Sequence, residues 1–229
     1  IRDSPTTLRD ARVMNLVPSV TTILKVAAKP GLEAWKMEQM LLAAMTLPRR
    51  VDEQESDFIA RIVADSKETA KQAAERGTRI HEEVESHFAG TKSPRGWAVE
   101  EALFEHFKTH PDNPWLVERS FACALGFGGK VDLHCVGNEF VKDGVVADIK
   151  TKEFSDPKDV VAYDEHLMQL AAYRVGLNLP HARCANVFVS VHDVKLIKII
   201  EWSEDDLKRG WEMFQALLNF WKLKNQFRK

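Results

Sequence analysis

Gly128-Gly129-Lys130-Val131-Asp132-Leu133-His134-Cys135-Val136, then Val145-Val146-Ala147-Asp148-Ile149-Lys150-Thr151, is the stretch that decides the fold. Both segments are rich in Val and bounded by glycines. Gly137-Asn138 and Asp143-Gly144 between them have the composition of turns. Two neighbouring strands are therefore predicted over Gly128–Val136 and Val145–Thr151. On a strand, residues two apart point to the same face. Asp148 and Lys150 then share one face while Ile149 turns to a core. If the two strands pair through the turn, Asp132 and Asp148 converge at one end of the sheet. Two carboxylates about 4 Å apart repel by about 4 kcal/mol at an effective dielectric of 20. A divalent cation offsets that best, and Lys150 adds a fixed charge beside it. Hard oxygen ligands suit Mg²⁺ or Mn²⁺. Taken alone, an Asp-x-Lys on a strand is more often a solvated ion pair.

Outward from this pair, the texture differs on the two sides. From Ser19 to His110 the period is helical. Ser19 has the character of an N-cap ahead of Val20, Ile23 and Leu24. A helix is expected over Leu32–Met45, between Pro30-Gly31 and Pro48. Helical spacing recurs in Phe58, Ile59, Ile62 and Val63, and again in Ile80, Val84 and Phe88. A further helix is expected over Trp97–Phe107, with Leu103, Phe104 and Phe107 as its apolar stripe. After Pro114 the period becomes that of strands. Trp115–Ala124 precedes the two strands above. A helix over Asp164–Leu177 follows them, burying Leu167, Leu170, Ala171 and Val175. Strands at Val187–Val191 and Leu196–Trp202 come next. A last helix, capped by Ser203, carries the stripe Leu207, Trp211, Phe214, Leu218 and Trp221. The expected fold is α/β: a mixed central sheet flanked by helices, with an N-terminal helical lobe. Residues 1–113 form the helical region that contributes to a cleft, and 114–229 form the core of one integrated domain.

Composition sets bounds without naming a function. The chain has 229 residues, 45% of them hydrophobic and 29% charged, enough to build a core without disulfides or structural zinc. Cys123, Cys135 and Cys184 form no CxxC pair, so they read as reduced thiols of a cytoplasmic or organellar-matrix protein. No apolar run approaches the length of a membrane span. The formal net charge is -2, with 16 Lys+Arg against 17 Asp+Glu in residues 1–110 and the same in 111–229. A nucleic-acid binder normally shows a basic face. A site built on carboxylates lowers the total without removing basic patches at its rim, so charge is neutral evidence.

Three further motifs make the pattern specific. Gly77-Thr78-Arg79-Ile80-His81, with Glu85 four residues on, places a histidine and a carboxylate on one helical face. Gln169-Leu170-Ala171-Ala172-Tyr173 does the same for an amide and a phenol. Pro18-Ser19-Val20-Thr21-Thr22-Ile23-Leu24 opens the helical region. Together with Asp132 and Asp148-Ile149-Lys150, and in this order, these motifs resemble the PD-(D/E)XK nuclease superfamily. The resemblance is to its RecB-like branch, which includes phage and mitochondrial-type DNA exonucleases. Val131 stands where the founding motif has proline, and the four cysteines of the branch members that hold an iron–sulfur cluster are lacking.

What the resemblance implies is a metal-dependent deoxyribonuclease, expected to be an exonuclease of recombination or processing. Its metal, Mg²⁺ or Mn²⁺, would be held by His81, Asp132, Asp148 and the backbone carbonyl of Ile149. Lys150, with Asp132 and Asp148, would be catalytic, orienting the attacking water and stabilising charge in the transition state. Gln169, Tyr173, Thr151, Glu118 and Glu85 would lie along bound DNA. The expected partner is DNA, as single strands or ends, with a recombination or single-strand-binding protein as a further one. Two alternatives stand beside this. One is a structure-specific or restriction-type endonuclease, and the other is a non-catalytic DNA-binding domain of the same fold.

Overall fold

A computed structural model describes residues 13–14, 16–109, 115–137 and 141–227. Among the described residues the named elements open with helices α1 (Val20–Leu24), α2 (Pro30–Thr46), α3 (Glu55–Phe88) and α4 (Pro94–Phe107). Strands β1 (Leu116–Cys123), β2 (Phe127–Cys135) and β3 (Val145–Lys152) follow. Helix α5 (Asp164–Gly176), strands β4 (Arg183–Ser190) and β5 (Ile197–Trp202), and helix α6 (Glu204–Lys224) complete the order. The molecule is thus α/β, with one mixed sheet in the order β1-β2-β3-β4-β5. β1, β2 and β3 pair antiparallel in succession, β4 lies parallel to β3, and β5 returns antiparallel. Only the β3–β4 connection needs a crossover, and α5 supplies it.

Helices cover both faces of the sheet. On one, Val20, Ile23 and Leu24 of α1 pack with the apolar sides of α5 and α6 around Phe127, Val131 and Val146. On the other, Ile80 and Val84 of α3 and Val99, Leu103 and Phe107 of α4 cover Leu133, Ala147, Ile149 and Val187. The central strands read as apolar runs because they are buried on both faces. Asp148 and Asn186, each fully buried, interrupt those runs.

The ends of the helices follow local chemistry. Ser19, Ser93 and Ser203 cap α1, α4 and α6, each accepting a backbone N–H into its hydroxyl. The N–H of Gly128 donates to the Pro18 carbonyl at 2.9 Å, which ties the start of α1 to β2. Several expectations need correction. The stripes at residues 58–63 and 80–88 lie on one 34-residue helix, α3, which no proline interrupts and which carries Gly77 within it. Phe104 is 39% exposed and lies outside the α4 stripe. β4 begins at Arg183 rather than Val187: its polar members Arg183 and Asn186 hide a strand whose ladder to β3 spans eight residue pairs. Trp211 is only half-buried, whereas Leu207, Phe214, Leu218 and Trp221 are core, as expected. Among the described residues no helix is long and apolar enough to cross a membrane.

Candidate active site

Asp132 sits where the sheet loosens. Its neighbours in β2 pair with β1 at Val117–Leu133 and Arg119–Val131, but the ladder omits Glu118 and Asp132 between them. Glu118 has φ +51°, a left-handed conformation unusual for a residue with a side chain. The break also changes which way β2 faces. Phe127 and Val131 pack in one core cluster, Leu133 and Cys135 in the other, although alternate residues of an unbroken strand share a face. On the β3 side the last ladder pair is Leu133–Ala147. Beyond it the Ile149 N–H donates to Asp132 Oδ2 at 2.8 Å. A side chain thus replaces a backbone acceptor, and Asp132 is held at the mouth of the β2–β3 gap.

The β3 pair behaves as its spacing predicts. Ile149 is buried among α3 and α4 residues, while Lys150 Nζ lies 2.5 Å from Asp148 Oδ2. Asp148 is fully buried, and burial pushes its carboxyl up to about 6. The Lys150 charge pulls the other way, and the Asp132 charge adds to the rise. Asn186, its partner on β4, donates from Nδ2 to the same Oδ2 at 2.9 Å. The other oxygen, Oδ1, is buried with no hydrogen-bond partner, which is a costly state for a carboxylate.

Helix α3 brings the third element. His81 Nε2 lies 3.0 Å from Asp132 Oδ2 and Nδ1 lies 2.6 Å from Glu85 Oε1. Burial works against a charged ring. The Asp132 hydrogen bond and the charges of Asp132, Glu85 and Asp148 outweigh it and hold His81 above the usual histidine range. Glu85 is itself raised, first by burial and, against the pull of His81, by the negative charges of Glu118 and Asp132. Ligand atoms of His81, Glu85 and Asp132 lie within 4.8 Å of one another. An imidazole between two carboxylates, beside a buried carboxylate with one oxygen unpartnered, is a donor set suited to a hard or borderline divalent cation. The residues present fit such an ion.

Ser19, Thr21, Gly129, Lys130, Gln169 and Tyr173 line this cleft together with His81, Asp132, Asp148 and Lys150. Its outer part runs past Gly77, Thr78, Glu85, Glu118 and Thr151. Gly77 permits the close approach of α3 to β3, since a Cβ there would stand 2.8 Å from Thr151 Oγ1. All the residues expected at the site therefore come together, though not all as expected. Gln169 Nε2 donates to Tyr173 OH at 2.8 Å and both are buried, so at rest they bond to each other at the cleft floor. Glu85 lines the outer cleft and also stands among the candidate ligands. Glu118 is paired with Lys130, whose ammonium holds its carboxyl below the usual range. Ile149 contributes backbone only, its side chain being core.

Sequence reasoning missed Asn186 and His166. The signal for Asn186 was a lone amide within Ala185-Asn186-Val187-Phe188-Val189. His166, on the first turn of α5, is pushed down to about 3 by burial and then by Lys150, Lys29 and Lys152. It stays neutral and accepts the Tyr163 N–H at 3.2 Å.

No family model matches the chain, and no curated protein matches it. Among solved structures it is similar to the crystal structure of SSO0001, with 16% identity over 81% of this chain and 86% of that one and a TM-score of 0.31. That likeness is too slight to bear on fold or function.

Proposed function

We propose that the chain is a metal-dependent nuclease that hydrolyses DNA phosphodiester bonds, built on a restriction-endonuclease-like core with an N-terminal helical lobe. The observation that carries the reading is the cluster of His81, Glu85 and Asp132, from helix and strand, beside buried Asp148 and its partner Lys150. The resemblance to the RecB-like PD-(D/E)XK nucleases supports it, since the motifs that suggested it meet at one cleft. His81, Asp132 and Asp148 would hold Mg²⁺ or Mn²⁺, with Glu85 beside them. When bound, the ion would acidify water and neutralise phosphate charge.

The chain's own groups account for the rest. Lys150, fixed against Asp148 and 27% exposed, presents its ammonium to the cleft, where it orients water and stabilises negative charge gathering on phosphate oxygens. Lys130 at the rim attracts the DNA backbone. Ser19 and Thr21, at the start of α1, line the cleft with their hydroxyls 3.0 Å apart. Gln169 and Tyr173, bonded to each other, form the floor beside Lys150.

An exonuclease of DNA recombination or processing is the favoured form. The test is incubation of purified protein with end-labelled linear DNA and with covalently closed circular DNA, single- and double-stranded, with Mg²⁺ or Mn²⁺. Cleavage of linear DNA alone is expected. Cutting of closed circles would make it an endonuclease. Binding without cleavage in either metal would make it a DNA-binding module and refute the proposal.

A further inference from the structure

Asp148 has a supporting chain that reaches to the far edge of the sheet. Asn186 stands opposite it on β4 and is fully buried. Trp202, on β5, donates from Nε1 to Asn186 Oδ1 at 2.8 Å. An indole N–H can only donate. Its partner must therefore be the amide oxygen, which leaves the NH₂ group as the one that faces Asp148. That group donates to Oδ2 at 2.9 Å. Lys150 also approaches Oδ2, at 2.5 Å. Both donors thus engage one oxygen of the carboxylate, and Oδ1 is left buried and unpartnered.

We propose that Asn186, aimed by Trp202, is a positioning residue that locks the rotation of Asp148 and thereby selects Oδ1 as the oxygen offered to a divalent cation. The inference rests on the metal-site reading above. The relay is directional. If the amide turned over, its oxygen would face the carboxylate, two acceptors would oppose each other, and the indole would meet a donor. Trp202 makes that orientation unfavourable from a distance, without touching the site. Sheet geometry supplies the alignment: Asp148 pairs with Asn186 across β3–β4, and Trp202 pairs with Cys184, diagonally beside Asn186, across β4–β5. Diagonal neighbours on one face are within reach of a large aromatic side chain.

The test is Mn²⁺ titration by calorimetry, with cleavage kinetics alongside, on wild type, Asn186→Leu, Trp202→Phe and the double variant. The wild type is expected to bind Mn²⁺. Asn186→Leu should weaken that binding by about 10- to 100-fold, as loss of a group that orients a ligand does, and Trp202→Phe should weaken it by a smaller factor. The KM for DNA should stay unchanged in both. Because Trp202 acts through Asn186, the double variant should be no worse than Asn186→Leu alone, whereas independent structural losses would add. Should Asn186→Leu fail to fold, Trp202→Phe decides alone. A Trp202→Phe curve superimposed on that of wild type, or additive losses in the double variant, would overturn the relay and leave the nuclease reading intact. A wild type that binds no Mn²⁺ would overturn both.

Discussion

Replacing Asp148 with asparagine should make the metal-free protein more stable, not less. The carboxyl is fully buried, and burial moves its titration from the ordinary 3.8 to about 6. That displacement corresponds to about 3 kcal/mol of folding free energy set against the ionised form. The sign follows from proton counting. Between the two values the folded protein holds a proton that the unfolded chain has released. The stabilising contribution is complete below 3.8 and is lost as pH rises through about 6. Asparagine resembles the protonated acid in shape and charge, so at pH 7 it escapes the loss. The variant gives up the Lys150 ion pair, but that ammonium is 27% exposed and recovers water. A net gain of about 1–2 kcal/mol is expected, or a rise in Tm of roughly 2–8 °C for a chain of this size. Thermal melts of both proteins in chelator, at pH 4 and pH 7, check this. The gap should be present at pH 7 and nearly closed at pH 4. Adding Mn²⁺ should raise the Tm of wild type alone, because only it retains the ligand. An Asp148→Asn variant that is less stable than wild type at pH 7 without metal, or a gap that does not change with pH, would refute the reasoning.

Three other outcomes are expected. Lys150→Ala should leave Mn²⁺ binding in place but lower turnover about a hundredfold or more, about 2.7 kcal/mol, and Lys150→Arg should not restore it because a guanidinium is larger and planar; single-turnover cleavage against calorimetric binding separates the two effects. His81→Ala should raise the Mn²⁺ needed for half-maximal cleavage. In wild type, cleavage at limiting Mn²⁺ should fall as pH drops through a range above that of an ordinary histidine, since Asp132 and Glu85 help His81 hold its proton; superimposable metal titrations of the two proteins would show the ring to be structural. Gly96→Ala tests the fold away from the cleft: its Cβ would stand 2.1 Å from Cγ of the buried His87, so a loss of about 1–3 kcal/mol is expected in urea melts, with cleavage by the folded fraction unchanged.

Residues close in sequence and tied by a fixed period were readable without a structure. The strand period alone placed Asp148 and Lys150 on one face and Ile149 in the core. The helix period placed His81 with Glu85 and Gln169 with Tyr173, because residues four apart are neighbours on any α-helix. Serine caps and apolar stripes located most helices, and the α/β class followed from the change between helical and strand periods along the chain. Long-range partnership was not readable. Nothing local says that the ladder skips Glu118 and Asp132, that β2 changes face there, or that His81 reaches across to Asp132, 51 residues away. Those depend on how α3 lies over the sheet, which Gly77 and the core beneath it decide. β4 was half-missed for the same reason. Asn186 looks like a loop residue in isolation, and becomes a strand residue only because Asp148 and Trp202 satisfy its amide on either side. A buried polar group is tolerable only with partners, and those partners come from β3 and β5, which only tertiary structure brings to its two flanks.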